Sequence, residues 1–259
     1  MRSSIRGPTV IGKPVIGQDL SKGRWIDLTH AFSERTIYWP TSEEFKHTTV
    51  FEGYTEKGFY YSAYNFSTAE HGGTHIDAPI HFVEGRKSVD QLEIDQLIGP
   101  AAVVDVTRKA TTSRDYQVSV SDFQEWEAEH GRLPDQCIVL INTGSSRYWP
   151  DKAAYMGTDQ RGEDAVRNLH FPGLHPDAAR WLVDERTIKA IGLDTPSIDY
   201  GQSTHFESHQ ILFDRNIPAL ENVDNLDQMP AKGATVFALP MKIEGGSGGP
   251  TRIVAFLPE

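Results

Sequence analysis

Short apolar runs rich in β-branched residues recur along the chain between turn-forming residues, and each run predicts a strand. The clearest are Trp25–Leu28, Phe59–Phe66, Ala102–Val106, Ile138–Ile141, Ile188–Leu193, Thr235–Leu239 and Arg252–Leu257. Three helices are expected among them. Ser121 is a candidate N-cap, with Gln124 in the matching capping-box position and Gly131 as the stop. His175-Pro176-Asp177 opens a second helix carrying Ala178, Trp181 and Leu182. A third spans about Thr204 to Asp214 and sets His205 one turn before His209. The polar and aromatic stretch Tyr148–Phe171 reads as a long loop or insertion near a site. No fixed repeat or low-complexity linker divides the chain. The mixture of elements predicts one α/β (α+β) domain over residues 21–259, preceded by a loosely held arm at 1–20.

Charge and composition narrow the partners. A net charge of −11 over 259 residues opposes a partner bound through its phosphates, so nucleic acid is not expected. No apolar run reaches the length of a membrane span, and the N-terminus lacks the apolar segment of a secretory signal. The lone cysteine, Cys137, opens an apolar run and reads as a buried strand residue, in keeping with a reducing cytoplasm.

The candidate chemistry is concentrated in His71-Gly72-Gly73-Thr74-His75-Ile76-Asp77-Ala78-Pro79-Ile80-His81. The two glycines make a helix poor here, so a tight turn followed by extended chain fits better. Extended chain puts His75 and Asp77 on one face, with His81 able to join them and His71 folding back through the glycines. Pro79 reads as a rigid, extended edge position. Imidazoles with a carboxylate suit a divalent transition ion, and a carboxylate can bridge two. A second set, His205, Glu207, His209 and Glu221, is too widely spaced for sequence distance alone to make it a site. His30 reads as an exposed loop histidine, and His175 as a helix-start residue. Ser203 and Ser208 lack a nucleophile elbow, which disfavours a serine hydrolase. Tyr38, Trp39, Tyr60, Tyr61, Phe82 and Trp149 are candidates to cover an aromatic pocket.

The eleven-residue segment resembles, at every specified position, the HxGTHxDxPxH signature of the cyclase family of metal-dependent hydrolases, which includes bacterial kynurenine formamidase and isatin hydrolase. The likeness extends through Asp27-Leu28-Thr29, Tyr38-Trp39-Pro40, Asn142-Thr143-Gly144, Gly192–Asp199, Ser208-His209, Ile217–Asn222 and the tail Pro240–Arg252. The resemblance implies a mixed, barrel-like sheet flanked by helices. It implies a first metal on His71, His75 and Asp77, and a second on Asp77, His209 and Glu221. It also implies His81 as general acid/base and Trp39 as a substrate contact. Single-manganese members of the isatin-hydrolase kind carry glutamine where Glu221 stands, so the carboxylate favours two ions, zinc or manganese. The expected reaction is attack of metal-bound hydroxide on an aryl N-formyl amide, such as N-formylkynurenine giving kynurenine and formate. The extra length at Tyr148–Phe171 and Gly245–Pro250 points instead to ring opening of a cyclic amide or lactone of the isatin kind. A metal-binding protein without turnover is the alternative of another class. The implied partners are a small aromatic amide or lactam and further copies of the chain, with loops crossing between subunits.

Overall fold

A computed structural model describes residues 19–259, so the expected N-terminal arm lies outside the described residues except for Asp19 and Leu20. β1 (Gly23–Asp27) is followed by a hairpin of β2 (Lys46–Tyr54) and β3 (Tyr60–Ser67), then by the three-residue β4 (His75–Asp77) and β5 (Ile98–Asp105). Next come α1 (Thr107–Thr112), β6 (Gln117–Val118), α2 (Val120–His130) and β7 (Cys137–Asn142). Two short helices, α3 (Lys152–Met156) and α4 (Glu163–Val166), precede β8 (Gly173–Leu174), α5 (Pro176–Glu185) and β9 (Ile188–Leu193). α6 (Glu207–Phe213), β10 (Ala219–Glu221), β11 (Lys232–Pro240) and β12 (Gly248–Pro258) complete the chain.

Seven strands form a closed ring in the order β12-β11-β5-β7-β9-β10-β4, because β4 pairs back onto β12, and β1 flanks β12. β5, β7, β9 and β10 run parallel, and the remaining ring pairings are antiparallel. Every residue of β7 and β9 is buried, as expected where strands are covered on both faces. The period of two sorts them. Ile138 and Leu140 join Ile76, Leu220, Val236 and Ile253 inside the ring. Val139 and Ile141 face outward against Phe123, Trp126, Leu182 and Phe213 beneath α2, α5 and α6. Cys137 is buried as expected, and burial pushes its thiol up to about 12. The barrel with flanking helices is the fold that the resemblance implied. No helix among the described residues is long and apolar enough to cross a membrane.

Three local expectations are corrected. α2 starts two residues early, because the Asp122 carboxylate accepts the Ser119 backbone N–H at 2.7 Å and its hydroxyl at 2.8 Å. The capping box is therefore Ser119/Asp122, not Ser121/Gln124. The third helix begins only at Glu207, since Phe206 is left-handed with φ of 50° and interrupts the helical path. The Tyr148–Phe171 stretch is not a bare loop. Asp151 caps α3 by accepting from Ala154 N–H at 3.0 Å, and the segment packs Tyr155, Met156, Leu169 and Phe171 around Ile37 and against Trp39.

Candidate metal centre and substrate pocket

The glycine pair works by close approach. Gly73 is left-handed (φ 58°), and a Cβ there would lie 2.6 Å from the Phe32 ring. A Cβ on Gly72 would come within 2.0 Å of the Tyr38 ring. Only a backbone without side chains fits this turn, and it returns His71 towards β4. β4 lies between β10 and β12, in a register that sets His75 opposite Glu221 on one side and Pro250 on the other. His75 and Asp77 share a face, as expected. Pro79 does not continue the strand, which corrects the extended edge expected of it. It opens a one-turn 3-10 helix, Pro79–His81, at a position where a missing N–H costs nothing. That turn swings His81 back, with its ring stacked 3.8 Å from the ring of His71 and Nε2 4.0 Å from Asp77 Oδ2.

Asp77 is the hub. Its Oδ1 lies 2.7 Å from His71 Nδ1 and 3.0 Å from His75 Nε2, and its Oδ2 lies 3.4 Å from His209 Nε2. Glu221 faces His209 Nε2 at 3.1 Å and His75 Nε2 at 3.4 Å. The structure thus brings His71, His75, Asp77, His81, His209 and Glu221 together at one point. Two overlapping sets of donor atoms could each surround a cation: His71, Asp77 and His81, and His75, Asp77 and Glu221.

The donor chemistry fits a metal. His75 Nε2 is buried with no hydrogen-bond partner, although carboxylate oxygens stand close by. The opposite nitrogen, Nδ1, is 2.9 Å from the Gly73 carbonyl, which only accepts. Nδ1 therefore carries a proton, and Nε2 is the nitrogen left to face the carboxylates, where a metal ion can take the place of a second proton. His209 is fixed in the same way, with Nδ1 2.6 Å from Asp199 Oδ2. Asp199 also accepts the backbone N–H groups of Ser208 (3.1 Å) and His209 (3.2 Å), so one carboxylate starts α6 and orients its imidazole. Sequence reasoning gave Asp199 no role, and a gap of ten residues to His209 offers no signal. His205, expected one helical turn before His209, is exposed instead, because it precedes the start of α6.

Burial and charge pull against each other here. Burial lowers the pKa of His75, but Asp77 and Glu221 outweigh it and raise it to about 8. For His209, burial is likewise outweighed by Asp199, Asp77 and Glu221, and its pKa lies well above the usual value. Burial raises the pKa of Asp77, yet the surrounding His71, His209 and His75 hold it well below the carboxylate range. Glu221 is raised by burial and by the charge of Asp77. Burial lowers His81 to about 4 despite the nearby Asp77.

The centre floors a pocket walled by Ile37, Tyr38, Trp39, Phe82, Pro196 and Phe206. Trp39 meets Phe171 and Phe206 edge-on at 6.4 and 6.2 Å. Phe82 stacks on His209 at 4.5 Å. Tyr60 and Tyr61 are not in this wall; they lie on the exposed β2–β3 hairpin. Trp149 stacks instead on His30, at 4.1 Å. His30 is only 7 % exposed, which corrects the expectation of a solvent-facing loop residue.

A closed mixed barrel thus carries a buried carboxylate–imidazole centre at the foot of an aromatic pocket. The chain belongs to the Cyclase family, whose sequence model matches residues 26–200. It is 33 % identical over 198 residues to the isatin hydrolase of Roseibium aggregatum, covering 73 % of each chain. To the kynurenine formamidase of Salinibacter ruber it is 31 % identical over 230 residues, which is 88 % of this chain and 95 % of that one. The solved structure of isatin hydrolase A from Labrenzia aggregata, bound to benzyl benzoate, superposes with a TM-score of 0.82 at 32 % identity. That superposition covers 91 % of this chain and 94 % of the other.

Proposed function

We propose that the chain hydrolyses the amide carbonyl of a small aromatic substrate at a divalent metal centre held by His71, His75, Asp77, His209 and Glu221. His81 acts as general acid/base, and Trp39 forms part of the substrate wall. The observation that carries this reading is the buried, unbonded His75 Nε2 facing two carboxylates at 3.0 and 3.4 Å. Zinc or manganese suits the imidazole–carboxylate set. Glu221 faces both His75 and His209 as a full carboxylate, which supports two ions, and Asp77 is the donor common to both candidate sets. Such an ion supplies a water that ionises near neutral pH and a Lewis acid for the carbonyl.

The chain's own residues do the rest. Burial keeps His81 neutral at pH 7 but weakens it as a base, so Asp77 has to support it as it takes a proton from the attacking water. Asp77 Oδ2, 4.0 Å from Nε2, stabilises the imidazolium so formed until the proton passes to the departing nitrogen. Trp39, Phe82 and Phe206 receive a flat ring, and each Å² of apolar surface they cover contributes roughly 25 cal/mol.

Two substrate readings have separate support. The formamidase relative and Glu221 favour the N-formyl amide of an aryl amine such as N-formylkynurenine. The superposition on isatin hydrolase A over 91 % of the chain favours ring opening of a cyclic amide. Parallel assays on N-formylkynurenine and isatin, after loading with zinc and with manganese, separate them. Loaded protein that turns over neither would favour the metal carrier without catalysis and overturn the proposal. The hairpin supports self-association as well: Val50, Tyr54, Phe59 and Phe66 are each more than half exposed. Light scattering is expected to return a multiple of 28.9 kDa, and a monomer at micromolar concentration would remove that part of the reading.

A further inference from the structure

His71 stands apart from the other two imidazoles facing Asp77. Its side chain is 22 % exposed, against 2 % for His75 and for His209. The other two are held from behind by the barrel and by Asp199. Behind His71 stands a surface turn. Ser247 Oγ lies 2.8 Å from His71 Nε2, and it donates to Glu70 Oε2 at 2.7 Å. The Ser247 backbone N–H donates to the same carboxylate oxygen at 2.9 Å.

The glycine-rich turn joining β11 to β12 is pressed against this contact. A Cβ on Gly248 would lie 2.6 Å from His71 Cε1, and one on Gly246 would lie 3.0 Å from Glu70 Oε1. The turn is also tied down along its length. Ala78 N–H donates to the Ser247 carbonyl at 2.8 Å, Val89 N–H to the Gly246 carbonyl at 2.9 Å, and Gly245 N–H to Asp90 Oδ1 at 2.9 Å. Serine is therefore delivered to the back of the imidazole by a fixed backbone.

Counting protons settles the direction of the relay. A serine hydroxyl has one proton, and a carboxylate only accepts, so that proton points to Glu70. Ser247 Oγ can then only accept from His71, which places the imidazole proton on Nε2. In neutral imidazole the other nitrogen, Nδ1, is a lone-pair donor, and it lies 2.7 Å from Asp77 Oδ1. Two acceptors at that separation need a positive charge between them, either a proton on Nδ1 or a metal ion that takes its place.

We propose that Glu70 and Ser247 are positioning residues that hold His71 in its Nε2–H form and present Nδ1 to the metal. This rests on the metal-centre reading above. The relay acts on one side of the centre only. Its loss weakens the ion held through His71 and leaves the donors His75, His209 and Glu221 in place. The two partners are 177 positions apart in sequence, so no local motif announces them.

The test uses the full chain, stripped of metal and titrated with zinc against a chromophoric chelator. Ring-nitrogen correlation spectra of the zinc-loaded protein are recorded alongside. Ser247→Ala and Glu70→Ala are expected to weaken one zinc equivalent by about 10- to 100-fold while the melting temperature of the ion-free protein changes little. Ser247→Thr, which keeps the hydroxyl, is expected to restore most of the affinity. In the unmodified chain His71 is expected to bind zinc through Nδ1 and carry its proton on Nε2. Coordination through Nε2, or unchanged zinc affinity in Ser247→Ala, overturns the relay while leaving the metal centre standing. An unmodified chain that takes up no zinc overturns the metal-centre reading, and the relay with it.

Discussion

β4 and β10 contribute three residues each to the sheet, and all six are buried. The β2–β3 hairpin has nine residues in one strand and eight in the other, and nearly all of them face solvent. By length and regularity the hairpin is the better-formed sheet. The candidate centre is built around the short seam, with His71, His81 and His209 brought in from the flanking turns and α6. The difference is one of surroundings: paired on both sides, β4 can hold charges out of water, where their mutual interactions are strong. The hairpin has only its own partner strand, so its side chains remain in high dielectric. A long, regular strand reports local propensity, whereas a functional centre needs enclosure.

That contrast can be broken at several points. Asp77→Asn strikes the hub of the seam. It is expected to empty the centre and lower hydrolysis by on the order of 10³-fold, as read by metal analysis and initial rates; retained metal with retained rate would deny Asp77 its central place. His81→Ala is expected to keep the metal and lose about 10²-fold in rate, and loss of the ion would make His81 a ligand instead.

Beside the seam, His30 supports Thr74 by donating its backbone N–H to the Thr74 hydroxyl at 2.9 Å. Burial lowers its imidazole from 6.5 to about 4, so the unfolded chain binds a proton there at a pH where the folded chain does not. Stability is therefore expected to fall as pH drops from about 6.5 to about 4, by about 3 kcal/mol from this group. Urea unfolding of ion-free protein across that range should show the loss flattened in His30→Gln; parallel profiles would contradict it. Loading with zinc at a hundred times its dissociation constant is expected to stabilise the fold by about 2.7 kcal/mol for each ion bound, or roughly 5 °C each by calorimetry. The hairpin supplies the smallest effect. Tyr60→Ser is expected to leave the turnover rate unchanged and to shift unfolding by no more than about 0.5 kcal/mol.

Legibility in the sequence followed the same division. Runs such as Ile138–Ile141 and Ile188–Leu193 were readable because burial on both faces leaves them almost wholly apolar. β4 was read as extended chain only from the glycine turn before it, and β10 was not read at all, since three residues ending in Glu221 have no strand pattern to detect. His71, His75, Asp77 and His81 stood out because a glycine turn and a one-turn helix gather them within eleven residues. His209 and Glu221 depended on the resemblance, as the packing of α6 that brings in His209 and the β4–β10 register that brings in Glu221 are long-range facts. Asp199 and Ser247 left no trace in spacing, since each reaches its imidazole only through the folded backbone. His30 was misjudged because the Trp149 ring that covers it comes from a loop more than a hundred residues later.

The double pairing of β4 has a consequence for biogenesis. Its two neighbours, β10 and β12, are synthesised long after β4 itself. A nascent chain halted before Gly248 presents His75 and Asp77 with one flank open, and the ring that encloses them is still unsealed. Glu221 on β10 and the closing strand β12 both arrive after His75 and Asp77, so an early nascent chain exposes only part of the cluster.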